Sequence, residues 1–162
     1  MNKIAFFDRD GVINHELGHY TCSVDEFLIN SGIWESIKLL KDNGYIVVVI
    51  SNQGGIAKGL YTSDDVLLMH KKLQNYLSEF QTSIDDFYFC PHHDKITKCL
   101  CRKPEPLMFE KALYIYDADP NQSFMIGDSK RDIIAAEKAG IKGFKIEPNE
   151  NILNLCTEII SK

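Results

Sequence analysis

The stretch Lys3-Ile4-Ala5-Phe6-Phe7-Asp8-Arg9-Asp10-Gly11 decides the fold. Ile4 to Phe7 are apolar without alternation, and the run stops abruptly in charge at Asp8-Arg9-Asp10. Such a run reads as a strand buried on both faces, because a half-exposed strand would alternate apolar with polar side chains. Working outward, Tyr45 to Ile50 (YIVVVI) repeats the pattern with β-branched residues. Phe87 to Cys90, Phe124 to Gly127 and Phe144 to Ile146 read as three further strands.

Helical segments fall between them. Ser36 to Asp42 reads as the end of a helix stopped by Gly44. Ser63-Asp64-Asp65 opens another, after which Val66, Met69, His70, Leu73 and Leu77 recur at helical spacing. Pro106 to Tyr116 and Lys130 to Ala139, the latter stopped by Gly140, complete the alternation. Strands alternating with helices predict an α/β fold on a mostly parallel sheet. In such sheets ligands bind beyond the carboxyl ends of the strands, so the polar residues just after each strand are the ones to read.

The chain's 162 residues suit one domain, expected to span 1–162. A net charge of -5 offers no basic field for nucleic acid or an anionic membrane, and neither is expected as a partner. No apolar run is long enough to span a bilayer. The apolar run after Met1-Asn2-Lys3 is too short for a secretory signal core, so a cytoplasmic location is expected. Five cysteines, an odd count in a reducing compartment, argue against a disulfide framework. A monomer is expected.

The strand ends share one chemistry. They carry Asp8-Arg9-Asp10-Gly11, Ser51-Asn52-Gln53-Gly54-Gly55, Arg102-Lys103-Pro104 before a helix, and Gly127-Asp128-Ser129 with Asp132 following. Carboxylates, a hydroxyl, a lysine and a glycine-rich turn suit phosphoryl transfer. Asp8 and Asp128 would hold a hard cation, Mg²⁺, to offset the repulsion between a carboxylate nucleophile and a phosphate dianion. Lys103 would pair with a phosphoryl oxygen and Ser51 would donate to another. Backbone N–H groups around Asp10 and Asn52 would complete the cradle. Asp8 and Asp10 would leave one face of a continuing strand, one to attack phosphorus and one to protonate the leaving oxygen.

These residues resemble the haloacid dehalogenase (HAD) superfamily of phosphatases, over about Lys3 to Ile146. The resemblance implies a three-layer, Rossmann-like parallel sheet, with Asp8 as nucleophile and Asp10 as acid/base. Ser51 fits the second motif, Lys103 the third and Asp128 the metal-binding fourth. It gives Mg²⁺ the carboxylates of Asp8 and Asp128 and a backbone carbonyl of Asp10. DRDGVIN, SNQGGIAKG, CPHH, CLCRKP and GDSKRD are more narrowly similar to the D-glycero-D-manno-heptose 1,7-bisphosphate 7-phosphatases and their relatives the histidinol-phosphate phosphatases. That group carries a zinc loop before the Arg-Lys-Pro segment, and its pattern falls here on Cys90, His92, Cys99 and Cys101. Ser129 departs from it, standing where the heptose enzymes often have lysine.

Read alone, Cys90-x-His92, six residues, then Cys99-x-Cys101 is a Cys₃His set of the closed, structural zinc type, with His93 as the rival ligand. The chain leaves no room for a cap domain. The loops Asn14 to Tyr20, Gln53 to Gly59 and Cys90 to Arg102 would then choose the substrate, a small phosphorylated sugar. Glu16, Gly18 and His19 would meet sugar hydroxyls, with Asn52, Gln53, Gly54 and Ser129 around the phosphate. Lys58 and Arg102 would meet a second anionic group. A phosphoacceptor receiver module is the rival class; it wants an aspartate ending strand three, where this chain has Phe89-Cys90.

Overall fold

The computed structural model describes residues 1–161. β1 (Lys3–Phe7) is the central strand of a five-stranded sheet of order β3-β2-β1-β4-β5, in which every neighbouring pair is parallel. β2 is Tyr45–Asn52, β3 Asp86–Cys90, β4 Phe124–Gly127 and β5 Lys142–Lys145. The helices are α1 (Ile33–Asp42), α2 (Ser63–Ser78), α3 (Leu107–Ile115), α4 (Lys130–Lys138) and α5 (Leu153–Ile160).

The unbroken apolar runs of β1 and β2 are explained by two cores. Ala5, Phe7, Val47 and Val49 face one side, where they meet Ile37 of α1, Met69 and Leu73 of α2, and Cys156 of α5. Ile4, Phe6, Val48 and Ile50 face the other, against Phe109 and Ala112 of α3 and Ala135 and Ala136 of α4. The result is the expected three-layer α/β architecture. Fully burying each such aliphatic or aromatic side chain stabilises the fold by about 1.5–3 kcal/mol.

Segment 8–32, between β1 and α1, holds no helix or named strand of its own. No helix among the described residues is long and apolar enough to cross a membrane.

Most boundaries shift by a residue or two, and two elements depart further from the sequence reading. β5 runs Lys142–Lys145 rather than 144–146, because a polar edge strand lacks the apolar run that marks β1 and β2. α5 was not anticipated, although Ile152, Leu155, Cys156 and Ile159 recur at helical spacing and pack on the first core.

Candidate active site

β1 delivers Asp8 by extending its ladder one residue, with Asp8 N–H donating to Ile126 O at 3.0 Å. The chain then turns rather than continuing as a strand. Arg9 O accepts from the N–H groups of Val12, Ile13 and Asn14 at 3.3, 2.8 and 3.1 Å. Asp8 and Asp10 therefore reach one cavity through a turn, not through the period-two geometry expected of a strand. Gly11 makes the turn possible. Its φ is +85°, and a Cβ there would lie 2.1 Å from Asp128 Oδ2.

Lys103 is almost completely buried beneath Asp8. Its Nζ lies 2.8 Å from Asp8 Oδ1 and 2.7 Å from Asp132 Oδ1, and donates to Ile50 O at 2.7 Å. Asn52 holds the lysine's backbone from both sides. Its Oδ1 accepts Lys103 N–H at 2.9 Å and its Nδ2 donates to Lys103 O at 3.0 Å. The Asn52 side chain thus ties the end of β2 to the segment before α3. Asp132 has a second task, since Oδ2 accepts Ser129 N–H at 3.0 Å in a capping box that starts α4.

Asp10 is differently placed. Arg9 Nη2, Asn14 Nδ2 and Gln53 Nε2 each donate to its carboxylate at 3.0 Å. Tyr61 OH in turn donates to Gln53 Oε1 at 2.6 Å. Burial works against the Asp10 anion, but the Arg9 charge and these donors outweigh it and hold the carboxyl below its ordinary range. Burial, then the Asp132 charge, push Asp8 the other way, up to about 7. The same two causes raise Asp128 to about 6. Lys103 alone therefore does not keep this carboxylate group fully ionised. The oxygens of Asp8, Asp128 and Asp132 lie within 4.8 Å of one another; those of Asp132 are taken by Lys103 and the Ser129 N–H, which leaves the hard oxygens of Asp8 and Asp128 to suit Mg²⁺. The Asp10 carboxylate is outside that cluster and saturated by its own donors.

A cavity of about 470 Å³ opens over these groups. Asp8, Asp10, Lys103 and Asp128 line it, together with Glu16, Gly18, His19, Asn52, Gln53 and Ser129 from the sequence reading. Ser51, Gly54 and Arg102 do not. Ser51 is buried and accepts from Gln53 Nε2 at 3.2 Å. Arg102 is turned into the cysteine loop, where Nη1 donates to His92 O at 3.1 Å and Nε lies 3.9 Å from Asp94. Gly54 gives Arg102 and His93 their room, since a Cβ there would come within about 3 Å of both. Tyr20, the end of the predicted substrate loop, also lines the cavity, as do Thr21, Tyr61 and Arg131, which sequence reasoning missed. It also missed Asn149, whose Oδ1 accepts Glu16 N–H at 2.6 Å and fixes the loop after β1.

The cysteine loop leaves the end of β3. Cys90 Sγ, His92 Nδ1, Cys99 Sγ and Cys101 Sγ lie within 4.8 Å of one another. Cys90 Sγ is 3.1 Å from Cys101 and 3.6 Å from Cys99, and His92 Nδ1 is 3.3 Å from Cys101 Sγ. These spacings are far beyond a disulfide bond of about 2.05 Å. They approach the roughly 3.8 Å edge of a tetrahedron with zinc–sulfur bonds of about 2.3 Å. The donor set fits zinc. His93 is outside it, with Nδ1 accepting Lys95 N–H at 3.2 Å.

Residues 100–147 match the HAD-hydrolase-like family model. The chain is similar to the D-glycero-beta-D-manno-heptose-1,7-bisphosphate 7-phosphatase of Haemophilus ducreyi, 37% identical over 86% of this chain and 80% of that one. The Rhodopseudomonas palustris protein of the same name is 40% identical, with 88% and 82% covered. A relative named for the alpha anomer, from Photorhabdus laumondii, is 39% identical, with 86% and 79% covered. Among solved structures, the D,D-heptose 1,7-bisphosphate phosphatase of B. bronchiseptica complexed with magnesium and phosphate superposes with a TM-score of 0.86. It is 31% identical, with 96% of this chain and 86% of that one covered.

Proposed function

Because the chain belongs to the heptose-1,7-bisphosphate 7-phosphatase family of HAD-type phosphoric monoester hydrolases, we propose that it hydrolyses the 7-phosphate of D-glycero-D-manno-heptose 1,7-bisphosphate through an aspartyl-phosphate on Asp8. One observation carries the reading: Asp8, Asp10, Asp128 and Lys103 line a single open cavity at the carboxyl edge of the sheet.

Asp8 and Asp128, with the backbone carbonyl of Asp10, are the residues that would hold Mg²⁺. The ion supplies charge neutralisation for an anionic nucleophile meeting a phosphate dianion. A carboxylate oxygen of Asp8 attacks phosphorus, and the bond to the sugar oxygen breaks. Asp10, as the acid, delivers a proton to that oxygen, then removes one from the water that cleaves the aspartyl-phosphate, releasing inorganic phosphate and restoring the Asp8 carboxylate and the protonated Asp10. The low-lying Asp10 carboxyl suits the second role, and a dianionic substrate nearby raises it toward the first. Lys103 neutralises the reacting phosphoryl group. Glu16, Gly18, His19 and Ser129 bound the sugar's side of the cavity.

The direct test is phosphate release from the heptose bisphosphate with Mg²⁺ and with EDTA. Metal-dependent release leaving heptose 1-phosphate is expected. A specificity constant higher for histidinol phosphate would transfer the chain to that chemistry, and no turnover of either would refute the enzyme reading.

Zinc in the cysteine loop is structural in this account, because four protein ligands leave no position for water. About one tightly held zinc per chain is expected on Cys90, His92, Cys99 and Cys101. Cys99→Ser should lose it and melt at lower temperature, and activity should fall because Arg102 and Lys103 follow directly from the loop. Metal analysis of chelator-free protein is the check. A zinc-free preparation with undiminished stability would contradict the assignment.

A further inference from the structure

We infer that Tyr61 is a positioning residue for the reaction, which keeps the Gln53 side-chain amide turned so that the proton carried by Asp10 goes to the leaving oxygen. The inference rests on the phosphatase reading above, with Asp10 as the acid. The two oxygens of Asp10 are unequally engaged. Oδ1 accepts from Arg9 Nη2 and from Asn14 Nδ2, whereas Oδ2 accepts from Gln53 Nε2, each at 3.0 Å. Hydrogen bonds donated to a carboxylate oxygen lower its basicity, so Oδ2, with the single donor, is the oxygen that takes and gives the proton. Gln53 is therefore the side chain in contact with the proton-bearing atom.

A side-chain amide has a donor at one end and an acceptor at the other in nearly the same shape, so sterically it fits either way round. The two orientations differ in chemistry. With Nε2 toward Asp10, the amide donates to Oδ2, and a proton on that oxygen finds its acceptor in the cavity. Turned over, Oε1 would accept that proton itself and draw it away from the substrate. The productive orientation is held from the far side of the amide. Tyr61 OH donates to Gln53 Oε1 at 2.6 Å, the phenol's one acceptor among the described residues. Gln53 is 1% and Tyr61 6% exposed, so bulk water does not replace this bond. Turning the amide would leave a buried phenol proton without an acceptor. Burial also pushes the phenol up to about 12, which keeps it a donor across the neutral range. The ring reaches this place because residue 55 is glycine, where a Cβ would lie 2.2 Å from Tyr61 Cε1. In the step itself, the bond from phosphorus to the sugar oxygen breaks, its electron pair stays on that oxygen, and the Oδ2 proton joins it. Asp10 is left as a carboxylate whose Oδ2 the Gln53 N–H already faces.

The experiment compares kcat/KM, which reports the steps through departure of the leaving group, for heptose 1,7-bisphosphate and p-nitrophenyl phosphate in wild type and Tyr61→Phe. The sugar oxygen needs a proton to leave, whereas p-nitrophenolate leaves without one. Tyr61→Phe keeps the ring and removes the donor. It should lose about 5- to 150-fold on the heptose bisphosphate, the range for leaving the buried Gln53 Oε1 unpaired. The loss should lie in kcat rather than in KM, because the contact serves proton transfer and not binding. The aryl phosphate should change by less than about 3-fold, and it doubles as the control for folding. Gln53→Met supplies the second arm. In that background Tyr61→Phe should cost nothing further on the heptose bisphosphate, because the phenol acts only through the amide. Equal losses on the two substrates, no loss on the bisphosphate, or an undiminished effect of Tyr61→Phe in Gln53→Met would overturn the inference. Failure of the wild type to hydrolyse the heptose bisphosphate would overturn the phosphatase reading itself, and the inference with it.

Discussion

Asp8→Asn should abolish turnover while leaving the fold intact. The amide preserves the shape of the carboxylate but is a very poor nucleophile. Removing a covalent nucleophile from an enzyme costs on the order of 10⁶ in rate. Stability should not suffer. Lys103 keeps its contact with Asp132 at 2.7 Å, so no buried cation is orphaned. Burial and the Asp132 charge hold the folded Asp8 carboxyl near 7, above its unfolded value of 3.8. A raised carboxyl stabilises the fold below the unfolded value, and that contribution is lost as pH rises through 7. The wild type therefore carries a cost at pH 8 that asparagine avoids. In metal-free buffer at that pH the variant should melt at or above the wild-type temperature. Measurable turnover in the purified variant would remove Asp8 from the role of nucleophile.

Asp10→Asn should behave differently in both respects. Proton transfer by a positioned side chain is worth about 10²–10⁴ in rate, and a loss in that range is expected. Mg²⁺ binding should survive, because the Asp10 carboxylate is not among the clustered metal-facing oxygens. The fold should weaken, however. Arg9 is 1% exposed and its ion pair is with Asp10, at 3.0 Å. Stranding a buried charge costs about 3–5 kcal/mol, and partial exposure of Asp10 places the expected value near 3. The Asp10 carboxyl is held below its ordinary range, so its contribution is present above the unfolded value and lost as pH falls through the folded one. The gap in melting temperature between wild type and variant should be full at neutral pH and close in acid. Calorimetric loss of Mg²⁺ binding would show that the Asp10 carboxylate is a ligand rather than a proton carrier.

The two substitutions separate what was legible in the sequence from what was not. The carboxylates were legible because buried strands announce themselves as unbroken apolar runs, and whatever follows such a run arrives at the sheet edge. The three cysteines were legible from spacing, which left His92 and His93 as rival fourth ligands, and the resemblance pointed to His92. The Arg9 burial that makes Asp10→Asn destabilising was not, because it depends on a turn that folds Arg9 back under the site. Asn52 escaped for a related reason. It was read as a phosphate neighbour, whereas its side chain clamps the backbone of Lys103, 51 residues away. Arg102 and Arg131 show the general difficulty. The sequence reading put Arg102 at the site and passed over Arg131, because which of the two lines the cavity is set by loop geometry and by which carboxylates and carbonyls compete for each guanidinium. β5 and α5 lie toward the periphery, where strand polarity and a short helix weaken the periodic signal.

The central claim is a covalent phosphoryl group on Asp8. Acid quenching of the enzyme during turnover with phosphorus-labelled heptose bisphosphate, followed by borohydride reduction of the acyl phosphate and peptide mass spectrometry, tests it directly. The account predicts acid-stable, base-labile label during turnover and homoserine in place of Asp8 after reduction, with neither in Asp8→Asn. Label on another residue, or turnover with no phosphoenzyme at any quench time, would contradict it.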